Sequence, residues 1–267
     1  MDKEIIISDS LDEVARMQRD GYITHAWCSG GGCGFVMDGQ AFRFAKGDCL
    51  IVPHQELEFA VGQKSEDFAV EVVYVSFRFI QTATPQSNYG IRGHLALFEN
   101  PVMHLRPEQQ RVCALNFDYI RRRLAVETHR FHREAMRNAI ECMIIDFFDF
   151  HAELYGEHAV AEPQAQLMQQ FIAMLERGDF RKKREVGWYA DALCVTPKYL
   201  SEVSKKVSGQ TAIYWITRYT ALDIARQLRS TNLSLEQLSD LYEFANTNYF
   251  IRYVQKNLGT SPSALRQ

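Results

Sequence analysis

The sequence predicts an α+β chain in two parts. An N-terminal small β-barrel carries a helical dimerisation segment, and an all-α C-terminal domain holds two helix-turn-helix motifs joined by a long helix. Three observations predict this. Residues 1–100 break into short apolar stretches separated by turn chemistry. At Pro107 the apolar spacing becomes helical. Beyond that, the chain repeats itself: Tyr199-Leu200 and Gly209 recur as Tyr249-Phe250 and Gly259, and such a repeat marks a duplicated supersecondary unit.

The 267 residues are enough for two cores, and 46% hydrophobic with 24% charged residues is the balance of a globular chain. No apolar run is long enough to span a bilayer, so no membrane partner is expected. Met1-Asp2-Lys3-Glu4 is charged and lacks a secretory apolar core, which predicts a cytoplasmic location.

Gln40–Phe44, Asp48–Val52 and Phe68–Ile80 read as strands, broken by Gly34, Asp38-Gly39, Lys46-Gly47-Asp48 and Pro53. Many short strands of this kind make a small barrel or sandwich. Trp27, Phe42, Phe44 and Tyr74 are candidate ligand-pocket residues, although a barrel interior needs such side chains in any case. His25 and His54 stand alone, without the spacing of a metal site, so neither metal nor cofactor is expected. Gly30-Gly31-Gly32-Cys33-Gly34 lacks the ending of a phosphate loop and reads as a hairpin turn. The six cysteines contain no CxxC pair and read as reduced thiols, with a Cys28–Cys33 redox switch as the lesser alternative.

Pro107 and Glu108 suit a first helical turn, predicting a helix over 107–126. A second helix, 132–154, places Met136, Ile140, Met143, Phe147, Phe150 and Leu154 at alternating spacings of four and three. The preferred use of this seam is a dimer contact; the alternative is packing on the barrel. His129 and His132 read as surface residues. The periodicity lapses over 155–165, with Gly156 and Pro163, which is the expected linker between residues 1–154 and 166–267. A helix from about Gln164 to Gly178 opens the second domain.

In the first repeat, Val186–Leu193 form a supporting helix, Thr196 is the N-cap and Pro197 the first helical residue. The next helix runs to Val207 and stops at Gly209. Its inner face is expected to hold Tyr199, Leu200, Val203 and Val207, leaving Lys198, Ser201, Glu202 and Lys205 outside. In the second repeat, Ser234 and Gln237 form a capping box. After a turn over 243–246, Tyr249, Phe250, Tyr253 and Val254 are expected on or near the inner side, and Thr247, Asn248, Ile251 and Arg252 outside. Asn pairs with adenine, Arg with guanine, and apolar groups with thymine methyls. Between the repeats, Ala212–Ser230 is a helix of about 28 Å, comparable with the roughly 34 Å between successive major grooves. Lys+Arg against Asp+Glu is 14 against 9 over 165–267 and 16 against 24 before it, so only the C-terminal part attracts phosphate.

Trp188–Ser201, Ser208-Gly-Gln-Thr, Ile224–Arg229 and especially Asn248–Arg266 resemble the AraC/XylS family of bacterial transcription regulators. The resemblance covers about 165–267. It implies a reader of double-stranded DNA whose second helix in each repeat, about 197–207 and 247–257, enters the major groove. Carried onto this chain, the contacts are Lys198, Ser201, Glu202, Thr247, Asn248, Ile251 and Arg252, with Lys205 on phosphate. It also implies a cupin-like regulatory barrel and a small-molecule effector such as a carbohydrate; the homodimer is the expectation from the 136–154 seam. Three departures stand out: Glu243 where the family has glycine, Ser204 and Val254 where it has phenylalanine, and Gln255 for a basic residue. These point to a strained second turn and looser recognition helices. They also allow the second motif a role as backbone clamp and contact for RNA polymerase. An interaction module that has lost specific DNA readout is the alternative function. No HExxH, GxSxG or P-loop pattern is present, so an enzyme is not expected.

Overall fold

The structure, a computed structural model, describes residues 4–37, 39–53, 59–83, 95–97, 100–155 and 162–266. His54, Asp38 and most of the expected linker lie outside the described residues. The chain divides into two compact units, Met1–Ala159 and Val160–Gln267.

The first unit is strand-rich. Its elements are β1 (Ile5–Ser8), α1 (Val14–Arg19), β2 (Tyr22–Gly30), β3 (Gly32–Met37), β4 (Gln40–Ala45), β5 (Asp48–Val52), β6 (Phe59–Lys64), β7 (Ala69–Ser76), α2 (Phe77–Ala83), β8 (Val102–His104), α3 (Pro107–Leu124) and α4 (His132–Tyr155). The strands form an antiparallel five-stranded sheet, β1-β7-β2-β5-β8, and a three-stranded sheet, β4-β3-β6. Among the described residues no ladder joins the two sheets.

Register assigns the faces, because directly paired residues share one side of a sheet. In β2, Ile23, His25 and Trp27 lie with Val75, Val73 and Glu71 of β7. This face joins Ile5, Cys49, Ile51 and Met103 in one core with Phe79 of α2, Phe117 and Ile120 of α3, and the buried side of α4. The expected dimer seam is part of that core: Met136, Ile140, Met143, Phe147 and Phe150 are at most 4% exposed. A heptad spacing specifies a straight apolar stripe, and here the chain's own sheet covers it, which corrects the preferred dimer reading.

The opposite face of the large sheet carries Ala26, Cys28, Val72 and Tyr74. The small sheet buries Cys33, Phe35, Met37, Phe44 and Phe59, and Phe42 stacks on Phe35 with centroids 5.3 Å apart. The four expected pocket residues therefore do not share one surface. Tyr74 lies on the large-sheet face opposite the α2–α4 core, with its hydroxyl donating to the Ser10 carbonyl at 3.3 Å beside α1; Phe42 and Phe44 belong to the small sheet, and Trp27 packs against the core that α2, α3 and α4 cover.

Two local readings are corrected. The apolar run Phe68–Ile80 is not one strand: β7 ends at Ser76, whose Oγ accepts from the Phe79 amide at 3.3 Å and starts α2. The glycine run is not a hairpin, because β2 and β3 belong to different sheets. Gly31 (φ 58°) makes the bend between them, and a Cβ there would lie 2.3 Å from Ser65 Oγ and 2.7 Å from the Phe68 amide nitrogen. Cys28, Cys33 and Cys49 are buried free thiols. Burial raises their pKa, to about 11 for Cys28, which disfavours the reactive thiolate. His129 is exposed and His132 half-buried; His129 Nδ1 accepts from the Phe131 amide, and His132 Nδ1 lies 3.0 Å from the Val126 carbonyl.

The second unit is helical: α5 (Glu162–Glu176), a 3-10 turn (Asp179–Arg181), α6 (Val186–Ala192), α7 (Pro197–Ser208), α8 (Ala212–Ser230), α9 (Leu235–Leu241) and α10 (Thr247–Leu258). The α8 helix has the expected boundaries, and Trp215, Ile216, Tyr219, Ile224 and Leu228 bury it in the core.

Candidate nucleic-acid interface

The two repeats fold alike, residue by residue. The α6 and α9 helices lie 49 residues apart and α7 and α10 lie 50 apart, so the second turn (242–246) has one residue more than the first (193–196). Both turns close with the same backbone bonds. The Val195 amide donates to the Ala190 carbonyl and the Phe244 amide to the Ser239 carbonyl, each at 2.9 Å. Both need a left-handed residue, and neither uses glycine: Cys194 has φ 55° and Glu243 has φ 48°. Glu243 alone stood out in the sequence; the first turn shares its conformation.

Caps define each recognition helix. Thr196 Oγ1 accepts from the Tyr199 amide at 3.2 Å, and Asn246 Oδ1 from the Tyr249 amide at 2.8 Å. Gly209 and Gly259 end the helices at φ 77° and 68°. The capping box at α9 is present, with Ser234 and Gln237 exchanging bonds of 2.8 and 3.1 Å.

The buried stripe of α7 is Leu200, Val203, Ser204 and Val207; that of α10 is Phe250 and Val254. Lys198, Glu202, Lys205, Asn248 and Arg252 are exposed, while Ser201, Thr247 and Ile251 are half-buried beside them. Each recognition helix thus brings its four expected contact residues to the outer side. Lys198 Nζ lies 3.9 Å from Glu202 Oε1, one turn along. The two tyrosines depart from expectation: Tyr199 is 41% and Tyr249 58% exposed. At roughly 100° per residue, Tyr199 sits about 90° from the centre of its buried stripe, which carries it to the flank. Two exposed phenols therefore occupy equivalent places in the two repeats, and the fifty-residue Tyr–Tyr match was the signal that could have found them.

The missing phenylalanines do not leave loose ends. Ser204 is fully buried, and its Oγ donates to the Gln210 carbonyl at 2.8 Å. Ser208 Oγ donates to the Ser204 carbonyl and accepts from Trp215 Nε1, each at 2.7 Å. These bonds tie α7 to the start of α8. In the second repeat, Phe244 packs its ring against Tyr249, Phe250 and Tyr253 at 5.9, 5.4 and 5.1 Å.

Asp223, midway along α8, ties that helix electrostatically to the 3-10 turn and to the second repeat. It accepts from Arg181 at 2.6 and 2.9 Å and from Tyr242 Oη at 2.7 Å, and pairs with Arg226. Burial acts to raise its pKa. The hydrogen bonds from Arg181 and Tyr242 and the charges of Arg226 and Arg181 outweigh that effect and hold the carboxyl below the ordinary range. Local pattern offered no signal for this cluster, whose partners come from three separate elements.

Residues 189–267 match the family model for a helix-turn-helix domain. No curated protein sequence matches the chain. Among solved structures, ToxT of Vibrio cholerae O395 is 11% identical with a TM-score of 0.47, covering 91% of this chain and 88% of its own. ToxT of Vibrio cholerae strain SCE256 with bound unsaturated fatty acid gives the same identity and TM-score over 91% and 86%. The AraC-like transcriptional activator CuxR is 11% identical over 84% and 74%, with a TM-score of 0.37.

Proposed function

Residues 189–267 being an AraC-type helix-turn-helix domain, we propose that this chain is a transcription regulator that binds double-stranded DNA sequence-specifically through two successive major grooves. The observation that carries the reading is the duplication itself. Two capped helices, each with a polar outer side, stand on matching turns and are joined by the helix α8. Asn248 and Arg252 are one turn apart on α10 and expose the groups that read adenine and guanine edges. Ile251 beside them offers an apolar contact for a thymine methyl. Lys198, Ser201 and Glu202 form the corresponding surface on α7, and Lys205 and Lys206 at its end are placed for phosphate.

Control passes through the first unit, by a small-molecule effector or by pairing with a second copy. With the 136–150 seam enclosed in the core, support for pairing comes from α3. There Val112, Leu115 and Tyr119, at spacings of three and four, are 37, 68 and 45% exposed.

Selection of bound duplexes from a random-sequence pool by the full-length protein tests the reading. The expected result is one shared site with two elements about one helical turn apart. A single enriched element would reduce the second motif to a backbone clamp. Recovery of no sequence above background would overturn specific DNA readout and favour the interaction-module reading.

A further inference from the structure

Arg184 lies on neither recognition helix and is not among the DNA contacts proposed above. It precedes α6, yet its bonds go to the far repeat. Its Nη1 donates to the Tyr242 carbonyl, and Nη2 to the Glu243 carbonyl at 3.2 Å. Nη1 also meets the Arg181 carbonyl at 3.1 Å, and the guanidinium carbon lies 4.3 Å from the centre of the Phe244 ring. Those two turn carbonyls belong to the peptide units on either side of the Glu243 Cα. Fixing both fixes the φ and ψ of a residue held at φ 48°.

A left-handed backbone is unfavourable for a residue with a Cβ and persists only where its surroundings impose it. Charge-assisted bonds from one planar guanidinium to two successive carbonyls do that. Stacking over Phe244 carries the constraint onward, because Phe244 contacts three aromatic rings of α10.

We infer that Arg184 is a positioning residue for the second recognition helix: it holds the non-glycine turn in its left-handed form and so sets the presentation of α10 to DNA. This deepens the DNA-binding reading and rests on it for its functional consequence.

The test uses the full chain with Arg184→Ala, Arg184→Lys, and Arg184→Ala combined with Glu243→Gly. Glycine adopts the left-handed conformation without steric cost, so it should make the clasp dispensable. Two readouts are taken: hydroxyl-radical footprints on a duplex selected by the wild type, and amide exchange by mass spectrometry. Arg184→Ala should weaken protection of the α10 element and speed exchange over 242–250, each about tenfold or more, with the α7 element and residues 193–201 changed less than about threefold. Arg184→Lys, which keeps charge but not the two-pronged geometry, should fall between. Glu243→Gly should return both readouts to within about threefold of wild type. Equal loss at both elements, exchange accelerated throughout the unit, or no rescue by glycine would overturn the inference. If the wild type protects no DNA, the functional reading fails. The exchange data then decide the turn: acceleration confined to 242–250 and reversed by glycine supports the clasp, and any other pattern overturns it.

Discussion

Replacing Asp223 by alanine should destabilise the helical unit far more than the loss of one ion pair at the surface. The side chain is 9% exposed and serves Arg181 through two bonds, Tyr242 through one and Arg226 by charge. Removing one partner of a buried pair costs about 3–5 kcal/mol. The Arg181 and Arg226 side chains are 35 and 32% exposed, so water replaces part of the interaction and the lower end, about 3 kcal/mol, applies. The buried Tyr242 hydroxyl loses its acceptor for about 1 kcal/mol more. Alanine at a mid-helix position returns roughly 0.5 kcal/mol. The net cost is about 3.5 kcal/mol, which for a unit of this size lowers the melting temperature by more than about 10 °C. Differential scanning calorimetry of the full chain reads this directly. The sign of the pH dependence follows from a folded pKa below the unfolded one. The stability supplied by Asp223 is complete above the ordinary carboxylate pKa of about 3.9 and is lost as pH falls through the depressed folded value. The gap between wild type and variant should therefore narrow in acid. A shift below about 3 °C at neutral pH, or a gap that does not narrow in acid, would refute the account of Asp223 as the electrostatic anchor between α8, the 3-10 turn and the second repeat.

Four further outcomes are expected. Arg252→Ala should cost about 1–3 kcal/mol on a selected site and relax discrimination at one base pair, measured by competition titration; equal loss on random DNA would make it a backbone contact. Lys205→Ala should weaken binding to all sequences alike and lower the salt slope by about one, and an unchanged slope would remove it from the phosphate set. Ile140→Ala should cost about 2–5 kcal/mol in urea unfolding, independent of protein concentration, because the residue is a core side chain; a cost that vanished on dilution would restore the dimer seam. His25, fully buried and pushed down to about 4 by desolvation, should make the first unit lose stability as pH falls from about 6.5 towards 4. The unfolded chain takes up the proton first, and the loss is on the order of 3 kcal/mol. His25→Phe should remove that dependence, and a parallel pH profile in the variant would count against it.

The C-terminal unit was legible where local chemistry decides structure. Thr196 with Pro197, the Ser234–Gln237 capping box, and Gly209 and Gly259 each act within a few residues, so sequence spacing sufficed for the helix ends. The outward sides of α7 and α10 followed from their 3.6-residue period, and with them Lys198, Glu202, Lys205, Asn248 and Arg252. Period misled at Tyr199 and Tyr249, because a stripe has edges and only packing tells a flank from a centre. In the first unit, alternation marked strands but not partners. It could not tell that β2 and β3 join different sheets, or that the chain's own strands cover the α4 seam.

By itself, then, the sequence determined the duplicated helix-turn-helix, its caps and its connecting helix, since these depend on interactions between near neighbours along the chain. Tertiary structure alone decided that Arg184 reaches the second turn, that Asp223 gathers Arg181, Arg226 and Tyr242, and that a heptad seam is core rather than interface. Most of those contacts link residues forty or more positions apart, and the chain's local periodicities carry no record of which distant group will fill a given face.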